Sequence, residues 1–126
     1  MKTNIKTNLR GYTLVEIMVV VAIIGILCAI ALPAFVKSRA NSQANYCINN
    51  LRQIDSAAQQ FAFTAGKHAG DTINYPSDLT PYIKLNSNGG IPPCAVGGVY
   101  TLNPVGTIPS VVCSLGSTVT PAHVLP

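Results

Sequence analysis

Charge is the scarcest property of this sequence. Only 10% of its 126 residues are charged, against about 25% in an ordinary soluble domain, so part of the chain belongs in surroundings other than water. Acids are scarcest of all. Glu16, Asp55, Asp71 and Asp78 are the only four, and no two stand at the spacing of an acid–base pair or a carboxylate metal site. There is no Cys-x-x-Cys, no His-Glu-x-x-His and no phosphate-cradling glycine loop. His68 and His123 are far apart in sequence, and His123, near the C-terminus, reads as a surface residue. These gaps leave no catalytic residue, metal ligand or cofactor to nominate, and they argue against an enzyme. Lys and Arg form no cluster beyond the N-terminus, which argues against nucleic-acid binding. Internal repeats, low-complexity tracts and a second domain are also missing, and the length suits one domain. Finally, no proline or glycine interrupts Ala34 to Ala65, whereas residues 66–126 hold 8 of the 10 glycines and 8 of the 9 prolines.

What the chain does have is apolar length. Hydrophobic residues make up 48% of it, and Ile17 to Val36 runs for 20 residues without a charge. A helix of that length spans roughly 30 Å, the thickness of a bilayer's hydrocarbon core. Lys2, Lys6 and Arg10 precede the run with no accompanying acid. They read as a positive-inside signal that leaves the N-terminus in the cytoplasm and exports the chain beyond the apolar run. If the chain is cut after Gly11, five basic and four acidic side chains remain, so the net charge of +4 falls to +1. Beyond the run, Ala44, Ile48, Leu51, Ile54, Ala58 and Phe61 recur at steps of three and four, one face of a helix. The membrane and amphipathic segments are therefore expected to form one helix of about 50 residues, with Gly66 as its C-cap.

From Gly66 onward the texture is that of a small lobe. Ser77 could cap a short helical turn, and Asn86 to Gly90 reads as a loop. Val99–Leu102 and Ile108–Val112 carry β-branched and aromatic residues around Asn103-Pro-Val-Gly106, the pattern of a β-hairpin. The expected fold class is α+β: a long N-terminal helix, membrane-spanning below and amphipathic above, with a lobe holding a hairpin or short antiparallel sheet. The segments are a leader (1–11), a membrane and polymerisation helix (12–36), an amphipathic helix (37–65) and the lobe (66–126). Of the four cysteines, Cys28 lies in the apolar run as plain packing. Cys47 lies on the apolar helix face and reads as a buried free thiol. Cys94 and Cys113 flank the hairpin and are expected to form a disulfide, worth about 3 kcal/mol in the chain-entropy model. Three exported cysteines allow three single pairings, and sequence does not choose among them.

The stretch Gly11-Tyr12-Thr13-Leu14-Val15-Glu16, followed by IMVVVAIIGILCAIALPAF, resembles the N-terminus of type IV pilins and of the pseudopilins of type II secretion systems. About 25 contiguous residues share it: a small residue, an aromatic after it, an acid four residues on, and the apolar run with Gly25 and Pro33. The resemblance implies cleavage between Gly11 and Tyr12 by a prepilin peptidase and N-methylation of Tyr12. It implies insertion in the bacterial inner membrane as a single-pass protein with an exported lobe. Partners would then be copies of the chain, in a helical filament, and an inner-membrane assembly platform. Glu16 would pair with the amine of a neighbouring subunit, and Gly25 and Pro33 would weaken the helix. A carboxylate costs of order 3 kcal/mol at mid-bilayer and less near the interface, which makes Glu16 a functional candidate. In its own helix it has no partner but the amine that cleavage would free.

Plainer readings exist for each feature. The apolar run could be an ordinary signal peptide cut after Ala29-Ile30-Ala31, or a simple membrane anchor. Glu16 could be a first-turn acid favoured by the helix dipole. Neither ordinary segment calls for the Gly11-Tyr12 junction. Within the family, a lobe poor in acids does not suit the calcium site that major secretion pseudopilins often carry. A minor subunit at a filament tip, binding a surface or DNA, is the alternative from another class.

Overall fold

A computed structural model describes residues 11–125; all but one residue of the expected leader lie outside that range. The elements are α1 (Leu14–Thr64), β1 (Tyr100–Leu102) and β2 (Val111–Cys113), an α+β fold. The chain divides into two compact units between Lys37 and Ser38.

In the first unit α1 is apolar and bare. Every residue from Leu14 to Lys37 is exposed. The helix is long and apolar enough to cross a membrane, and none of its most apolar stretch is buried.

In the second unit the same helix has a covered face. Ala44, Cys47, Asn50, Leu51, Ile54, Ala57, Ala58 and Ala62 are buried. The periodicity places the face nearly here, but its centre is rotated: Ile48 and Phe61 are half-buried at its margin. Small side chains at four of these positions let irregular backbone lie close to the helix. Leu51 and Ile54 meet Leu79, Cys94, Tyr100, Val111 and Cys113 in one core cluster. The helix ends in a Schellman motif at Gly66, whose φ of +63° suits a residue without Cβ. Lys67 N–H donates to the Ala62 carbonyl at 2.8 Å and Gly66 N–H to Phe63 at 3.4 Å.

The remainder is mostly turns. Ser77 caps no helix: its hydroxyl donates back to the Asn74 carbonyl, and Asp78 accepts the Asn74 N–H. This local ring competes with helix propagation, and residues 75–82 form consecutive turns pinned by Leu79 and by the edge of Tyr82 against Phe61. The hairpin exists, but with strands of three residues. Tyr100 pairs with Cys113, Thr101 with Val112 and Leu102 with Val111. The second strand starts later than expected because Ile108 and Pro109 belong to the connection, and Ile108 is 98% exposed. Proline has no N–H to give a ladder. Asn103 closes the connection: its N–H donates to Ser110 and its amide to the Pro109 carbonyl.

Candidate functional site

Two places carry chemistry. The first is the start of α1. Gly11, Tyr12 and Thr13 lie before the helix and are exposed, Tyr12 by 84%. Thr13 is the N-cap. Its N–H and its hydroxyl both donate to Glu16 Oε2 at 2.8 Å, and Glu16 N–H donates to Thr13 Oγ1 at 3.3 Å. This is a reciprocal capping box, Thr-x-x-Glu, which satisfies amides that a helix start leaves without partners. It corrects the expectation that Glu16 has no in-chain partner besides a freed amine. The spacing Thr13-Leu14-Val15-Glu16 is the signal in the sequence that announces it. Both bonds end on Oε2, and among the described residues the second carboxylate oxygen has no partner. Further along, α1 continues through Gly25 and Pro33 without interruption. A Cβ at Gly25 would meet nothing within 4 Å, and Cys28 is an exposed thiol.

The second place lies in the core of the lobe. Cys47 stands on α1, Cys94 follows the irregular Pro92-Pro93 segment, Cys113 ends β2 and His123 sits in the C-terminal segment. All four are buried, and one donor atom from each lies within 4.8 Å of the other three. His123 is 3% exposed, which overturns its reading as a surface residue. Cys94 and Cys113, expected to bond to each other, stand in this structure as free cysteines, as do Cys47 and Cys28. They do not stand alone. The hairpin register turns Cys113 inward beside Tyr100, toward the helix, where Cys47 and His123 also converge, so the two form part of a foursome.

Specific contacts hold each member. Asn50, one turn beyond Cys47, is buried and its amide reaches the carbonyls of Pro92 and Pro93 at 3.4 and 3.3 Å and the Tyr100 hydroxyl at 3.2 Å. It fixes the loop that delivers Cys94. The Tyr100 hydroxyl donates to Cys47 Sγ at 3.6 Å. Cys94 Sγ lies 3.6 Å from His123 Nδ1. Gly116 seats the C-terminal segment: the His123 N–H donates to its carbonyl, and its own N–H donates to that of Cys113. A Cβ at Gly116 would come within 3.0 Å of the Cys113 carbonyl. Gly98 is tighter still, since a Cβ there would fall 2.4 Å from Cys113 Sγ.

The thiols differ electrostatically. Burial pushes Cys47 up to about 12; the Tyr100 hydroxyl offsets part of this, and the neighbouring thiols of Cys94 and Cys113 add to it. Burial acts on Cys94 too, but there it is outweighed. The Val96 amide, the Cys47 thiol, the Gly98 amide and the His123 ring all point at its sulfur and bring it down to about 7.

Residues 6–32 match the family model of the prokaryotic N-terminal methylation motif. The chain is 50% identical over 52 residues to the type IV major pilin protein PilA of Myxococcus xanthus, covering 41% of this chain and 24% of that one. It is 37% identical over 91 residues to the fimbrial protein EcpC of Eikenella corrodens, covering 72% and 50%. It is 35% identical over 81 residues to the type IV major pilin protein PilE1 of Neisseria gonorrhoeae, covering 60% and 49%. The chain thus spans from about a quarter to half of the length of these curated relatives. No solved structure matches it.

Proposed function

We propose that this chain, a relative of the type IV pilins by its N-terminal motif and helix, is a structural subunit of a pilus-like filament. It is made with a basic leader, held in the inner membrane by residues 12–36 with the lobe exported, cut after Gly11 and methylated on Tyr12. Subunits then add head to tail on an inner-membrane platform, a heterologous contact that does not close and so gives a fibre. The observation that carries the reading is the conjunction at the start of α1. A capped helix with an acid at its third position leads directly into a stretch of apolar surface that no described residue covers. Lipid satisfies that surface in the membrane, and the helices of other copies satisfy it in a filament.

The names of the relatives, major pilins and fimbrial proteins, support a pilus over a secretion pseudopilus. No catalytic role is assigned; the subunit works by assembling. Mass spectrometry of the mature protein tests the reading. The expected first residue is Tyr12 carrying one N-methyl group, in protein recovered from sheared filaments. A mature chain beginning at Leu32 means ordinary signal peptidase and sinks it.

A further inference from the structure

We infer that Cys47, Cys94, Cys113 and His123 form a tetrahedral site for a zinc ion, a metal-binding function lodged in the core of the lobe. The site stands independently of the filament reading, since no residue of the N-terminal motif takes part in it.

The donor set points to the ion. Three sulfurs and one imidazole nitrogen are the Cys3His set that Zn2+ takes in closed structural sites. Calcium and magnesium want oxygen, and none of the four residues offers it. The geometry agrees. Zinc with Zn–S of about 2.3 Å and Zn–N of about 2.0 Å holds its donors roughly 3.6 to 3.8 Å apart in a tetrahedron. Cys94 Sγ and His123 Nδ1 are 3.6 Å apart, and all four donors fall within 4.8 Å, so small side-chain rotations close the set. The donors also arrive from four separate parts of the chain, which is what a metal that staples a fold requires.

The surroundings fit as well. The amides of Val96 and Gly98 aim at Cys94 Sγ, and the Tyr100 hydroxyl aims at Cys47 Sγ. Outer contacts of this kind orient ligands and balance thiolate charge. Gly98 leaves the space beside the Cys113 and Cys94 sulfurs unfilled, where any Cβ would collide. The lobe has need of a staple. Beyond α1, its regular structure among the described residues is two strands of three residues, and small folds with little core commonly rely on a metal or on disulfides. A disulfide between any two of the three cysteines would leave the third thiol and the imidazole buried together without a role. A metal uses all four. Binding is a proton exchange: Zn2+ enters, the thiols that still hold protons release them to solvent, and His123 binds neutral through Nδ1 with its proton on Nε2.

The test uses the full chain, extracted from membranes in detergent without chelator. Elemental analysis is expected to give one zinc per chain, and replacement by Co2+ to give the intense visible bands of a tetrahedral thiolate site. Alkylation followed by peptide mapping is expected to find Cys28 reactive and Cys47, Cys94 and Cys113 protected until zinc is chelated. Cys28→Ser should change nothing. His123→Ala and Cys113→Ser should weaken zinc binding by on the order of 100-fold or more, beyond the 10–100-fold typical of outer-shell partners. The unsubstituted chain alone decides the matter should the variants fail to fold. Recovery of a Cys94–Cys113 disulfide with no zinc, or equal alkylation of all four thiols with and without zinc, overturns the site.

Discussion

Thr13 and Glu16 hold each other at the start of α1, and that contact changes what a substitution at either position should do. Removing the Thr13 hydroxyl takes away half of a capping box, which costs about 1 kcal/mol at a helix start. Removing the Glu16 carboxylate takes away the rest of the box and also the oxygen left over for a neighbouring amine. Glu16→Ala makes the helix more apolar, so inserted protein should stay at normal levels while filaments become few or absent. Thr13→Ala should leave filaments visible, in somewhat lower number. Electron microscopy of both strains, with immunoblots of the membrane fraction, separates the two roles. If Thr13→Ala abolishes filaments as fully as Glu16→Ala, helix capping suffices and a charge-pairing role for Glu16 falls. Asn50 is the corresponding residue of the lobe. Its amide serves three acceptors in the core, and Asn50→Ala strands them at a cost of about 1–3 kcal/mol, to be read as a lower denaturation midpoint.

At the scale of elements, the helix is plain in the sequence and the lobe only partly so. The long uncharged run and the three-and-four spacing of Leu51, Ile54 and Ala58 are local signals, repeated over several turns, and they survive any tertiary context. The closing turn is equally legible, because a glycine after the last periodic residue has one common use. Gly66→Ala forces a Cβ into φ +63°, which costs roughly 1–2 kcal/mol. The melting temperature of the detergent-held chain should fall by several degrees, at about 4–8 °C per kcal/mol for a unit of this size. The hairpin is legible but its second strand is displaced, since Ile108 has the β-branched look of a strand while Pro109 beside it prevents one. Ser77 has the look of a cap and loses to a ring closed by Asp78. The cysteine and histidine cluster is legible only in part: the hairpin draws Cys94 and Cys113 together and the helix face buries Cys47, but no signal joins the two groups or brings in His123. Cys47, Cys94, Cys113 and His123 have no short spacing between them, and the packing of the hairpin, the Pro92-Pro93 segment and the C-terminal segment against α1 brings them together. The small residues that make room, Gly98 and Gly116, look like ordinary turn glycines.

For the whole molecule, the contrast between the two units suggests a separation. The unit from Ser38 onward carries the buried core, and the long exposed apolar stretch lies before it in the chain. A fragment beginning at Ser38 should be soluble without detergent and elute as a monomer on gel filtration, with helical circular dichroism from the upper part of α1. Aggregation of that fragment would mean that the lobe depends on the first unit for its fold. Within the fragment, Leu51→Ala should cost about 2–5 kcal/mol, because Leu51 is fully buried in the core.

The bareness of the lower helix also constrains its traffic. Fifteen large apolar side chains between Leu14 and Val36 stand open to whatever surrounds them. Hydrating them costs at least about 1.5 kcal/mol each, on the order of 20 kcal/mol together, far beyond what thermal motion supplies. On the proposed filament reading, a subunit leaving the bilayer for a fibre therefore has no aqueous waiting state. It must slide from one greasy neighbourhood into the next in a single handover, with the growing fibre's base seated in the membrane to receive it.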